Sequence, residues 1–347
     1  MTATKAYAAL DSKSPLIPFK FKRREVRPND VQVEILYSGV CHSDIHQVRD
    51  EWNGSIYPMV PGHEIVGRVI KVGTEVKKFK PGDIAGVGVI VDSCKKCKNC
   101  EKQMEQYCVE DPTGTYNAME RDGVTIAQGG YSSNIVTDER YVYHISPKLD
   151  LKAVAPLLCA GITTYSPLRY AGVTSGMKVG VIGLGGLGHL GVKFAVSFGA
   201  EVTLISTSPS KQEDAARLGA HKFLLSTDKK QMKDADSYFD VVLNTISANH
   251  NYKRYLNLLD LDGKMLVVGL PAEDPKVSPF ALQKNRRSIT GSMIGGTTET
   301  QEMLDYCAEK NIVADVEVIP IKKINEAYER MIKNDVRYRF VIDMSTL

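Results

Sequence analysis

The sequence predicts an α/β protein in two parts, an irregular strand-rich part and a doubly wound parallel sheet. Three observations predict it. Up to about residue 150, short strand patterns alternate with glycine-punctuated turns. From about residue 155 onward, strand and helix patterns alternate. The length, 347 residues, fits about two domains at roughly 100–200 residues each.

Taken in order, Val31, Val33 and Ile35 alternate with Gln32 and Glu34, a period-2 strand running toward Cys41. Gly67, Gly73 and Gly82 punctuate the next strand-like stretch, as at bulges and close backbone approaches. Residues 95–102 read as a cysteine-rich loop. KVGVIG at 178–183 reads as a buried strand. HLGVKFAVSFG at 189–199 has helical spacing, with Leu190, Phe194 and Phe198 on one face and Gly199 as a stop. EVTLIS at 201–206 is a strand, SKQEDAARLG at 210–219 a helix, and DVVLNT and KMLVVGLP two further strands. Helical patterns near 302–310 and 325–334 precede a last strand, RYRFVIDM.

Composition removes several classes of function. Apolar residues make up 43% and charged residues 24%, the balance of an ordinary globular chain. A net charge of +3 gives no electrostatic footprint for nucleic acid or an anionic membrane. No apolar run reaches membrane-helix length; the nearest, 179–192, is broken by six glycines. The N-terminus lacks an apolar core of signal-peptide length, so the expected location is the cytoplasm. Seven cysteines, four within 15 residues, read in a reducing compartment as metal ligands before disulfides.

Gly183, Leu184, Gly185, Gly186, Leu187 and Gly188 match GxGxxG between an apolar strand and a helix, the context that motif requires. Gly183 supplies the tight turn, Gly185 admits a pyrophosphate to the backbone, and Gly188 lets helix and strand pack closely. A dinucleotide cofactor follows, its phosphates at the helix N-terminus. NAD binders place an acid about 20 residues past the motif. No acid occurs here between Glu201 and Glu213. Ser206, Thr207, Ser208 and Lys211 suit a 2′-phosphate instead, so the expected cofactor is NADP(H). The competing reading is that this segment is only a turn and helix cap.

Cys94, Cys97, Cys100 and Cys108 have the spacing of a tetrahedral structural zinc site. An iron–sulfur cluster also uses close cysteines, but no electron-transfer context accompanies them. Lys95, Lys96, Lys98 and Lys102 are expected to offset the site's negative charge. A second constellation comprises Cys41, then His63 22 residues later, then Cys159. Singly, each is as readily core filler.

Together these residues resemble the zinc-dependent medium-chain alcohol dehydrogenases from end to end. Gly62, His63, Glu64, Gly67, Gly73 and Val76 match that family's zinc signature. More narrowly, GVCHSD at 39–44, YPMVPGHE at 57–64, APLLCAGIT at 155–163 and YRFVID at 338–343 look like the cinnamyl-alcohol dehydrogenase group. The resemblance implies a GroES-like catalytic zinc domain over 1–157 and 296–347, and a Rossmann-type cofactor domain over 158–295. It implies a catalytic zinc on Cys41, His63 and Cys159, with Glu64 as an alternative ligand and Asp44 orienting the His63 ring. It assigns Ser43 and His46 to a proton path, Thr163 to nicotinamide, Val268 and Ser292 to the cofactor, and Arg339 to the pyrophosphate. It places Trp52, Gly114, Met293 and Ile294 near substrate. Plant members often carry a large aromatic where Gly114 falls, so strict lignin-alcohol specificity is not expected.

The expected function is therefore reversible hydride transfer between NADP(H) and aromatic or aliphatic primary alcohols and aldehydes, with two zinc ions per chain. A polyol or secondary-alcohol dehydrogenase is the nearest rival, and a non-catalytic NADP(H) sensor a more distant one. A homodimer is expected from the family, through edge strands near 265–268 and 291–294. His144, His189, His221, His250 and Cys307 are expected to be structural.

Overall fold

The computed structural model describes residues 2–271 and 273–347. The chain divides into two compact units, one running through Cys159 and resuming with Gly295–Leu347, the other Ala160–Ile294.

The first unit is built on a seven-stranded sheet centred on the strand Asp30–Val40. That strand pairs antiparallel with Ile65–Val72 on one side and Arg339–Asp343 on the other, and with Asn134–Asp138 at its start. The expected one-sided alternation is only partly seen: Gln32 is buried along with Val31, Val33 and Ile35. A central strand is covered on both faces, and the Gln32 amide is satisfied by Asn134 Oδ1 at 3.3 Å. The cysteine-rich stretch is not all loop, because Lys98–Glu101 forms a helical turn. The C-terminal helices run Thr297–Lys310 and Ile324–Ile332. Arg339–Asp343 closes the sheet alongside Val316–Pro320, a strand the sequence pattern did not disclose.

In the second unit, six parallel strands line up as Lys222–Leu225, Glu201–Ser206, Lys178–Ile182, Phe239–Asn244, Leu259–Val267 and Ser288–Gly291. In chain order this is 3-2-1-4-5-6, the doubly wound dinucleotide-binding arrangement. The Gly188–Ser197 helix follows the first strand, and Gly199, with φ +83°, ends it as the sequence predicts. The dimer expectation needs one correction. Residues 265–268 are not at an edge, since Met265 pairs with both Val242 and Ile289. The edge strand is Ser288–Gly291, which ends before Ser292, Met293 and Ile294. Among the described residues, no helix is long and apolar enough to cross a membrane.

Candidate metal and cofactor sites

Sheet register assembles the first metal group. Ser38 lies opposite Ile65, and the Gly39 N–H donates to the Glu64 carbonyl at 2.8 Å. The end of one strand and the start of the next therefore sit side by side, bringing Cys41 to His63 and Glu64. Phe340 pairs with Val40 on the other flank, which delivers Arg339. Cys159 arrives from the short turn Ala155–Leu158. Ligand atoms of Cys41, His63, Glu64 and Cys159 all lie within 4.8 Å of one another, and all four residues are buried.

The details suit a metal with an open position. His63 Nδ1 lies 3.1 Å from Asp44 Oδ1, and Nε2 lies 3.3 Å from Cys159 Sγ. With Nδ1–H given to the carboxylate, Nε2 keeps its lone pair for a metal. Asp44 also accepts the Cys41 N–H at 2.9 Å, within the first turn of the helix His42–Val48. Hydrogen bonding from Cys159, aided by Arg339 and His63, holds the Cys41 thiol well below its ordinary range despite burial. Burial pushes Glu64 up to about 7, against the pull of Arg339. Arg339 Nη2 bonds Glu64 Oε1, and its Nη1 lies 3.9 Å from Cys41 Sγ. Glu64 Oε2 has no hydrogen-bond partner. With a metal bound, two thiolates and a neutral imidazole would offset a dication, and Arg339 neutralises Glu64 beside them.

Arg339 lies against this group. It is 4% exposed, and the contacts it makes are to Glu64 and Cys41. The reason is electrostatic, since a buried carboxylate requires a nearby cation. Gly39 is a supporting residue that the sequence reading missed. A Cβ there would fall 1.9 Å from Glu64 Oε2, so only glycine leaves room for that carboxylate. Ser43 Oγ lies 3.6 Å from Cys41 Sγ. His46, three residues along the same helix, is outside the metal group. Its Nδ1 meets Glu51 Oε2 at 2.5 Å, and its ring stacks on Trp52 at 4.9 Å. Glu51 carried no signal in the sequence.

Cys94, Cys97, Cys100 and Cys108 form the second group, again with ligand atoms within 4.8 Å of one another. Each sulfur has a donor. Cys97 N–H reaches Cys94 at 3.3 Å, Val109 N–H reaches Cys97 at 3.5 Å, and Cys94 N–H reaches Cys108 at 3.4 Å. Ser93 Oγ is 3.2 Å from Cys100 Sγ. The Val109 and Cys100 N–H groups draw the Cys97 thiol down to about 6, while burial pushes Cys100 up to about 12. Of the four neighbouring lysines, two are paired with carboxylates. Lys95 is drawn to Asp138 at 2.6 Å and Asp92 at 3.1 Å, and Lys96 lies by Glu110. Backbone dipoles, with Arg121 Nη2 3.9 Å from Cys108 Sγ, face the sulfurs instead.

The glycine loop has the stereochemistry its motif requires. Gly183 has φ +90°. A Cβ on Gly188 would lie 2.0 Å from the Gly183 carbonyl, whereas one on Gly185 meets nothing within 4 Å. The space above Gly185 is open, as a pyrophosphate needs. Gly186 and Leu187 complete the turn, Leu187 capping the helix. His189 Nδ1 bonds the Gly185 carbonyl at 3.0 Å, a structural role. At the next strand end, Ser206 Oγ accepts the Ser208 N–H at 3.2 Å, and Pro209–Lys211 forms a 3-10 turn. Thr207 is exposed. Val268 N–H and Ser292 N–H bond the carbonyls of Asn244 and Val267 at 3.1 and 3.2 Å. Thr163 lies on the Ala160–Tyr170 helix. Ile294 holds φ +40°, unusual for a β-branched residue, and Met293 is exposed. At Gly114, an added Cβ would press on the Tyr116 carbonyl at 3.0 Å. Cys307 is buried beside Met303.

A doubly wound sheet with a dinucleotide glycine loop, joined to a β unit with two four-residue metal-ligand groups, defines a zinc-type dehydrogenase. Family comparison agrees: the Alcohol dehydrogenase GroES-like domain matches residues 27–147 and the Zinc-binding dehydrogenase domain matches 186–309. Aldehyde reductase YahK of Escherichia coli is 56% identical over 346 residues, covering 99% of each chain. NADP-dependent alcohol dehydrogenase C 1 of Mycolicibacterium smegmatis is 52% identical, covering 100% of this chain and 99% of its own. The crystal structure of the cinnamyl alcohol dehydrogenase of Helicobacter pylori, complexed with NADP(H), superposes with a TM-score of 0.93 at 43% identity, covering 99% of this chain and 98% of its own. The chain belongs to the zinc-dependent medium-chain alcohol dehydrogenases, in the cinnamyl-alcohol dehydrogenase group.

Proposed function

We propose that this protein is an NADP(H)- and zinc-dependent alcohol dehydrogenase, reducing aromatic and aliphatic aldehydes and oxidising the corresponding primary alcohols. The observation that carries the reading is the Cys41, His63 and Cys159 group, buried and complete but for one position, with Glu64 diverted onto Arg339. When bound, zinc supplies Lewis acidity toward a carbonyl oxygen, and the nicotinamide supplies or takes up the hydride.

The chain's own residues do the rest. Cys41, His63 and Cys159 hold the metal, and Asp44 fixes the His63 tautomer. Ser43 receives the alcohol proton, and His46, braced by Glu51, passes it to water. Gly183, Gly185, Gly186, Leu187 and Gly188 cradle the pyrophosphate, with Thr163, Val268 and Ser292 toward the nicotinamide. Arg339 balances Glu64 and, through it, the charge at the metal. Ser206, Thr207, Ser208 and Lys211 take the 2′-phosphate. Trp52, Gly114, Met293 and Ile294 contact substrate. The four-cysteine group holds the second, structural zinc. In this reading the first unit is the catalytic zinc domain and Ala160–Ile294 the cofactor domain. The unpaired edge of Ser288–Gly291 supports a homodimer, and seven cysteines outside any disulfide support residence in the reducing cytoplasm.

The test is a steady-state panel of benzyl, cinnamyl, aliphatic and polyol substrates with NADPH and NADH, with zinc content measured on the same protein. Turnover of aldehydes that disappears on metal removal is expected. Preference for polyols would sink the aldehyde-reductase reading.

A further inference from the structure

Asp44 is fully buried and accepts four hydrogen bonds. Three come from groups at the metal site or beside it: Cys41 N–H at 2.9 Å, Gly62 N–H at 3.0 Å and His63 Nδ1 at 3.1 Å. The fourth comes from Tyr131, whose hydroxyl donates to Oδ2 at 3.2 Å across 87 residues of sequence. Tyr131 is itself fully buried. Its phenol therefore meets the carboxylate away from water, where the bond is strongest and its loss most costly.

The segment carrying Tyr131 is locked to the stretch just before His63. Gly129 N–H reaches the Val60 carbonyl at 2.6 Å, Tyr131 N–H the Pro61 carbonyl at 2.9 Å, and Gly130 N–H the Gly62 carbonyl at 2.8 Å. Val60 N–H returns to Gln128 Oε1 at 2.6 Å. The fit leaves no slack: a Cβ on Gly129 would lie 2.4 Å from the Pro61 carbonyl, and one on Gly62 2.7 Å from the Tyr131 ring.

What fixes the far side of that segment is Arg23. Its guanidinium is buried and donates to the carbonyls of Asn134 at 3.0 Å, Gln128 at 2.7 Å and Gly129 at 3.1 Å, and to Ser132 Oγ at 3.0 Å. Among the described residues no carboxylate lies within ion-pair distance of it. Burial accordingly draws its pKa down to about 9. The planar fork spans three carbonyls at once, which an ammonium on a flexible stem does not reproduce.

We propose that Tyr131 is a positioning residue for the metal-binding histidine, its hydroxyl holding Asp44 and the buried Arg23 fixing the segment that presents it. The inference rests on the reading of Cys41, His63 and Cys159 as zinc ligands. Partners of metal-bound histidines typically change metal affinity by roughly 10–100-fold when removed. Tyr328 provides the comparison, since its hydroxyl is also buried in this cluster, beside Tyr131, but does not bond Asp44.

The experiment follows zinc release from the loaded protein into excess EDTA, with a colorimetric zinc indicator. In Tyr131→Phe, one of the two zinc ions should leave about tenfold faster. The other should leave at the unmodified rate. The visible spectrum of cobalt placed in the vacated site should shift. Arg23→Lys should act in the same direction, and Tyr328→Phe should leave both rates unchanged. Unchanged release from Tyr131→Phe, equal acceleration of both ions, or the same effect in Tyr328→Phe would overturn the proposal. An unmodified protein holding one zinc when fully active would instead sink the metal assignment on which it rests.

Discussion

His46 shows how much a single residue's role depends on its neighbours. It follows Cys41 by five residues, close enough in sequence to be mistaken for a ligand. The helix His42–Val48 turns it outward, onto Trp52 and Glu51. An imidazole offers a donor and an acceptor on its two ring nitrogens, which suits proton relay. In His46→Gln, kcat should fall by about tenfold, less than the roughly 100- to 10,000-fold of a full general acid–base contribution because water can substitute in part. The pH–rate profile should change shape while two zinc ions per chain remain. Loss of a zinc ion in that variant would return His46 to the metal shell.

Two short elements make opposite demands on their side chains. In the four-cysteine lobe, the short turns around Cys97 and Cys100 aim N–H groups at sulfur, so metal and turn stabilise each other. Cys97→Ser should lose one zinc ion and lower Tm by roughly 5–10 °C, corresponding to a loss of about 3 kcal/mol. Enzyme that survives should keep its catalytic zinc and its KM for aldehyde. In the glycine loop, Gly188→Ala has no room and should destabilise the fold by about 1–3 kcal/mol. Gly185→Ala has room and should leave Tm unchanged, yet raise KM for NADPH by obstructing the pyrophosphate. If thermal melting and cofactor titration do not separate the two variants in this way, the division of labour among these glycines is wrong.

On the scale of the whole molecule, cofactor choice links the second unit to the reaction. A charge-assisted contact to a 2′-phosphate is worth roughly 1.5–3 kcal/mol, and each 1.4 is about tenfold. NADPH should therefore exceed NADH in kcat/KM by about ten- to a hundredfold. Thr207, exposed at the strand end, faces no steric obstacle to change. Thr207→Asp places a carboxylate against the phosphate and should erode or invert the preference. Equal efficiency with both cofactors in the unmodified protein would reduce 206–211 to an ordinary turn.

The sequence by itself determined what local chemistry encodes. The glycine loop, the four spaced cysteines and the strand–helix alternation are each contiguous, and a period or a spacing suffices to read them. The Glu201–Ser206 strand matches its sequence pattern residue for residue. Tertiary structure decided whatever depends on partners distant in the chain. The pairing of Arg339 with Glu64 spans 275 residues, and Tyr131 reaches Asp44 across 87. Lys95 pairs with Asp138, which the fold brings alongside, at 2.6 Å. Gly39 is required only because strand pairing sets Glu64 beside it. The physical reason is common to the three pairings. Burial removes water, so a charge or polar group must find its partner in whatever the sheet register delivers, and register between strands is a property of the folded chain.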